Sequence, residues 1–177
     1  MKTQLGILGL VIATSLGSFG CAGELDDSAE GAVDSVEAAE VGVGGEFTIF
    51  ADALRAAGGV AGQVESSAFG HTTTSDLSIR RAPANKNWGA IAHVDRCSEN
   101  QGGARYRNDP NAGSTAQNEI WLDVRTDAHG RGTGHSVVNF VVRPQGAKSL
   151  VLYQNPAASG NVGARIACID FPWDQAD

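Results

Sequence analysis

Lysine is scarce in this 177-residue chain, with Lys2, Lys86 and Lys148 the whole set. Arginine brings the bases to 13 against 20 acids, a formal charge of −7. No basic stripe is present, which disfavours nucleic-acid binding. No apolar run reaches the ~20 residues of a membrane-spanning helix. The composition is not that of a collagen, a coiled coil or a fully disordered chain. What is plentiful is glycine, 23 residues, beside 42% hydrophobic residues. Many short apolar runs in a Gly-rich, Lys-poor chain predict β-structure with tight turns. The length predicts one domain.

The negative charge is unevenly placed. Residues 22–46 hold Glu24, Asp26, Asp27, Glu30, Asp34, Glu37, Glu40 and Glu46 and no Lys or Arg. Residues 47–177 hold 12 acids and 12 bases. The acidity belongs to the leader and says nothing about the domain's partner. An acidic stretch of small residues cannot bury enough apolar surface to offset its ordering entropy. A tether is therefore predicted over 21–46, with a short helix over 32–41 as the alternative.

The first 20 residues read as a signal peptide: Lys2 supplies a positive start and residues 5–16 an apolar segment of the right length. Gly17-Ser18-Phe19-Gly20-Cys21 resembles a bacterial lipoprotein signal, in which the Cys becomes the lipidated terminus. Ala22, in place of Asp, resembles outer-membrane sorting. This implies an exported, membrane-anchored envelope protein of the outer membrane or periplasm. Ordinary cleavage nearby would give a freely secreted or periplasmic one. The three cysteines are Cys21, Cys97 and Cys168. Lipidation of Cys21 leaves an even pair in a compartment that permits disulfides. A Cys97–Cys168 bridge would close a loop of about 70 residues and stabilise the fold by roughly 4 kcal/mol.

From residue 47 the pattern is that of strands. They are expected at 47–50, 60–65, 72–80, 88–94, 119–125, 136–143, 149–154 and 164–170. In 119–125, Ile120, Leu122 and Val124 alternate with Trp121, Asp123 and Arg125. Turns are expected at 83–87 and 126–130. Seven or eight short strands with no strong helix predict an all-β sandwich or barrel over 47–177. The long weak stretch 98–117 reads as a functional or tied-down loop.

Several segments resemble copper/zinc superoxide dismutases. They are Trp88-Gly89-Ala90-Ile91-Ala92-His93, Cys97, Gly102-Gly103-Ala104-Arg105-Tyr106, Pro110 and Asn118-Glu119-Ile120-Trp121-Leu122-Asp123 with Thr126-Asp127 and Gly130. Ser149-Leu150-Val151-Leu152-Tyr153 follows, then Gly160-Asn161-Val162-Gly163-Ala164-Arg165-Ile166-Ala167-Cys168. The resemblance spans about residues 60–171 in order. It implies an eight-stranded Greek-key β-barrel or sandwich, and it too implies the Cys97–Cys168 disulfide.

The family holds copper by four His, and zinc by three His and an Asp, one His being shared. Its Gly-x-His-x-His motif here reads Gly89-Ala90-Ile91-Ala92-His93, so Ile91 replaces the first ligand and His93 matches the second. A slipped register would use His93 and Asp95. Arg105 stands at the bridging His. A guanidinium has no lone pair for a cation, and its charge repels one. Tyr153 matches the last copper His. Residues 106–120 contain no His, Ile120 lies near the zinc Asp, and Asp109 is the loop's only carboxylate before Glu119. One carboxylate does not make a zinc site. Arg165 matches the family's superoxide-attracting Arg. With one copper ligand of four and no recognisable zinc ligand, no cofactor is expected, and the resemblance is to a degenerate, non-catalytic member, a pseudoenzyme.

The other candidates read plainly. His71, His129 and His135 read as turn or edge residues, and would be ligands only if the fold brought them to His93. Trp88, Trp121 and Trp173 read as packing residues. Arg105 and Arg165 with Tyr153 and His93 form a candidate anion site, and Arg107 lies near. The alternative pairs Arg105 with an acid such as Asp95 or Asp109. Three functions follow: a structural or interaction module with an unknown protein partner, a residual copper-dependent dismutase, or a small-anion binding module.

Overall fold

The structure is a computed structural model that describes residues 39–56 and 58–173. The signal peptide, Cys21, the tether up to residue 38 and the final four residues lie outside the described residues. Among the described residues no helix is long and apolar enough to cross a membrane.

Among the described residues, nine strands build two antiparallel sheets. In chain order they are β1 (Ala39–Glu46), β2 (Thr48–Ile49), β3 (Ala61–Phe69), β4 (Thr72–Arg80), β5 (Asn87–His93), β6 (Val124–Arg125), β7 (Gly132–Val138), β8 (Ser149–Tyr153) and β9 (Arg165–Asp170). One short helix, α1 (Asp52–Ala56), follows β2. The first sheet has the order β1-β3-β4-β7, the second β2-β9-β8-β5-β6. The chain changes sheet after β1, β2, β4, β6 and β7, the interleaving of a Greek-key sandwich. The all-β expectation is met.

One core joins the sheets. Val64, Leu77 and Ile79 from the first sheet meet Ala90, Ala92, Leu150, Leu152, Ala167 and Ile169 from the second. The alternating strands β3 and β4 bury one face only. In β8 all five residues are buried. The outer face of the second sheet carries its own cluster, containing Ile91, Val151, Tyr153, Cys97 and Cys168, under the 97–121 and 155–162 segments. A strand buried on both faces reads as a continuous apolar run rather than an alternation. The functional candidates lie in this second layer.

Four expectations are corrected. The domain begins before residue 47: β1 occupies 39–46, where a tether was expected, and no helix reaches residue 41. Val41 and Val43 pack against the core, and Glu46 pairs with Arg81, which draws the Glu46 carboxyl below its ordinary pKa. The strand expected at 119–125 forms a ladder only at 124–125. Its alternation is real, because Ile120, Leu122 and Val124 are buried, but its earlier residues contact β5 through a single bridge, Trp121 with Ile91. β7 starts at Gly132 and ends at Val138. Val138 pairs with Thr73 near the start of β4, so the ladder runs out of partner there. The start is possible because Gly134 has no side chain: a Cβ would lie 2.3 Å from the Leu122 carbonyl oxygen. Finally, α1 was not expected.

Candidate functional site

His93 ends β5, with a side chain fully buried. Ile91 and His93 share the outer face of the second sheet, two residues apart. Tyr153 ends β8 on the same face, and its hydroxyl lies 2.8 Å from His93 Nε2. His93 Nδ1 lies 3.0 Å from the Gly103 carbonyl oxygen. A carbonyl only accepts, so Nδ1 carries the proton and Nε2 accepts from the tyrosine. Both ring nitrogens are spent. Burial, then the charge of Arg165 and that of Arg105, push the His93 pKa down to about 4, against the opposing backbone contacts of Gly103 and Gly102. The ring is neutral at pH 7.

The Gly103 carbonyl also accepts from Arg165 Nη2 at 2.6 Å, while Arg165 Nη1 donates to Asn100 O at 2.7 Å. The guanidinium thus clasps a turn in which Asn100, Gln101, Gly102 and Gly103 all have positive φ. Left-handed backbone at Asn100 and Gln101 is strained and needs such support. Gly103 cannot carry a Cβ, which would fall 1.9 Å from Asp95 Oδ2. By resemblance, Arg165 was expected at a substrate-attracting position. Here it donates to backbone carbonyls.

Arg105 lies over Tyr153, its guanidinium carbon 5.4 Å from the ring centre. Its charge faces Glu119, with Nη1 3.7 Å from Oε2. Arg107 Nε stands 4.0 Å from Oε1 of the same carboxylate. Glu119 is fully buried, and Trp121 Nε1 donates to its Oε2 at 2.7 Å. Its Oε1 accepts no hydrogen bond. The expected partners Asp95 and Asp109 are therefore replaced by Glu119. Asp109 instead accepts the Asn111 N–H at 2.9 Å in an exposed turn. Sequence reading placed Glu119 at a strand start and gave it no role. The available signal was its phase: it alternates with Trp121, on the face opposite Ile120 and Leu122.

The structure thus brings His93, Tyr153, Arg105 and Arg165 into one network, extended by Glu119, Trp121 and Arg107. It leaves three histidines elsewhere. His135 pairs with Asp76 at 2.8 Å across β7 and β4 of the other sheet. His71 is exposed in the turn between β3 and β4, and His129 in the turn after β6. Ile120 packs in the main core. Among the described residues no three His, Cys, Asp or Glu side chains group as a metal site. The residues present do not fit copper or zinc. A metal at His93 Nε2 would have to displace the Tyr153 hydroxyl and sit beside the Arg105 charge.

The bridge is in place. Cys97 and Cys168 are disulfide-bonded with a Cα–Cα distance of 5.6 Å. Asp170 Oδ1 accepts the Cys97 N–H at 2.6 Å. The segment that covers His93 is thereby tied to β9.

No family model matches this sequence, and no curated protein matches it. Among solved structures, the chain is similar to a point mutant of a SOD-like protein from Bacillus subtilis, with 14% identity and a TM-score of 0.46, over 71% of this chain and 97% of that one.

Proposed function

We propose that the chain is an exported, envelope-anchored domain of the superoxide dismutase-like type whose metal position has been given over to protein contacts, and that it serves as a structural or interaction module. The observation that carries this reading is His93. It is the one copper-ligand position that keeps its histidine, and its two nitrogens are taken by Tyr153 and Gly103. Redox cycling of copper calls for an imidazole-rich set, and Ile91, Arg105 and Tyr153 supply none.

The test is metal content and superoxide turnover of the full chain, disulfide intact, after exposure to excess copper and zinc. The expected result is no retained copper and no turnover. One copper per chain with turnover would overturn the reading and revive the residual dismutase.

A second reading, a small-anion module, has one observation in its favour: Arg105 and Arg107 bring two guanidiniums to a single buried carboxylate. Against it, Arg165 spends its donors on backbone carbonyls. A phosphate titration followed by the arginine and tyrosine chemical shifts decides between them. A saturable change favours the anion module, and no change removes it.

A further inference from the structure

A cleft of about 760 Å³ lies between the start of α1, the 83–88 turn and the 154–156 turn. Small-molecule sites fall in the range of ~300–1,000 Å³. Its apolar surface comes from Leu54, Trp88 and Ile166, and its polar surface from Asn85, Lys86, Asn87, Gln154 and Asn155. No acidic residue lines it. This cleft shares no residue with the His93 network.

Its walls are pinned. Buried Thr126 donates its hydroxyl to Pro83 O at 2.7 Å and accepts the Lys86 N–H at 2.9 Å. Asp123 accepts the N–H groups of Ala157 and Ala158 at 2.8 and 3.1 Å, which fixes the second turn. The Ala51 N–H donates to Ile166 O at 3.2 Å, which holds the start of the helical wall. A fixed frame loses little freedom on binding.

The groups offered to the cleft are unspent. Among the described residues the side chains of Asn85, Lys86, Asn87 and Gln154 have no hydrogen-bond partner, and Asn155 uses only its amide N–H, toward Asn161 O. The Trp88 side chain lines the cleft, while its indole N–H is closed off from water and is not offered to a ligand.

We propose that this cleft is a saccharide-binding site for a neutral sugar. A pyranose ring presents an apolar C–H face to an indole and hydroxyls around its rim. Each hydroxyl both donates and accepts, and each carboxamide does the same. A purely apolar ligand would desolvate the amides without replacement bonds. A cationic ligand would meet Lys86 and no carboxylate. A phosphorylated one would lack the bidentate arginine fork that such groups favour.

The test titrates the full chain, disulfide intact, with N,N′-diacetylchitobiose, maltose and cellobiose. The readouts are calorimetry and the Trp88 indole N–H resonance, identified by its loss in Trp88→Phe. Glycerol at matched hydroxyl concentration serves as control. A saturable shift with at least one disaccharide and none with glycerol is expected. Asn87→Ala and Gln154→Ala change exposed side chains and leave the fold intact. Each is expected to weaken binding by up to about tenfold, the loss of a single hydrogen bond. The proposal is overturned if no disaccharide gives a saturable shift, if glycerol reproduces it, or if both variants bind as the wild type does.

Discussion

Glu119 is a fully buried carboxylate flanked by two arginines whose side chains are 27% and 40% exposed. That asymmetry fixes the order of effects when either side is removed. At an effective dielectric of 20, two unit charges about 4 Å apart attract by about 4 kcal/mol. Burying the carboxylate costs several kcal/mol in the opposite direction. Arg105→Met keeps the methylene stem beside Tyr153 but leaves the buried Glu119 carboxylate with Arg107 alone, at 4.0 Å. Loss of one partner from a buried pair costs ~3–5 kcal/mol, and the remaining arginine places this variant near the lower end, about 3 kcal/mol. Glu119→Gln leaves the positive charges behind, but those can rehydrate, and the amide oxygen still accepts from Trp121. About 1 kcal/mol is expected, as for one ordinary hydrogen bond. The double variant has no buried charge left unpaired and should be more stable than Arg105→Met alone, a coupling of about 1–3 kcal/mol. Urea unfolding of the three variants at pH 7, disulfide intact, measures all of these if the m-value stays constant. The reasoning is refuted if Glu119→Gln costs more than Arg105→Met, or if the two effects add.

Two further outcomes follow from the same layer. The His93 pKa lies near 4 in the folded chain, against ~6.5 when unfolded, so between these values only the unfolded chain takes up the proton. Stability is then complete above pH 6.5 and falls as pH drops toward 4, by about 3 kcal/mol. His93→Gln should flatten that part of the pH profile, and a His93 ring signal that titrates near pH 6.5 would contradict the assignment. Replacing both Cys97 and Cys168 by Ala removes a link between residues 71 apart in sequence. This should cost on the order of 4 kcal/mol. At ~2–4 °C per kcal/mol, the melting midpoint should fall by roughly 8–16 °C. An unchanged midpoint would show that the bridge contributes nothing net.

The strands with one buried face were the readable ones. β4 was expected at 72–80 and is found at Thr72–Arg80, because its alternation of polar and apolar residues has one cause. β1 was hidden by composition. Its glycines and acids look like linker, and only Val41 and Val43, two residues apart, mark an inner face. In 119–125 the sequence reports which residues are buried and not which backbone groups are paired, so the alternation was right and the ladder was short. The site was legible at His93, Arg105, Tyr153 and Arg165 through the family resemblance, which aligns positions. It could not reveal Glu119 as the partner of Arg105. That pairing depends on how the 98–118 segment folds over the sheet, and a resemblance built on replaced ligands says nothing about what replaces them. Trp88 was read as packing, and the cleft it lines is made by three segments far apart in sequence.

The disulfide adds a second fastening to the segment over His93. Apart from the bridge, the segment over His93 is held by backbone bonds that join Val94 to Ala104, Asp95 to Gly102 and Tyr106 to Ala92, by Arg165 on the 100–103 carbonyls and by Asp170 on the Cys97 N–H. Those are a handful of hydrogen bonds, one charge-assisted clasp among them. Once Cys97 and Cys168 are joined, the same segment is fastened to the strand that carries Arg165, and the imidazole is sealed from both directions. The inaccessibility of His93 therefore rests on two fastenings of different kinds, one of hydrogen bonds and one covalent.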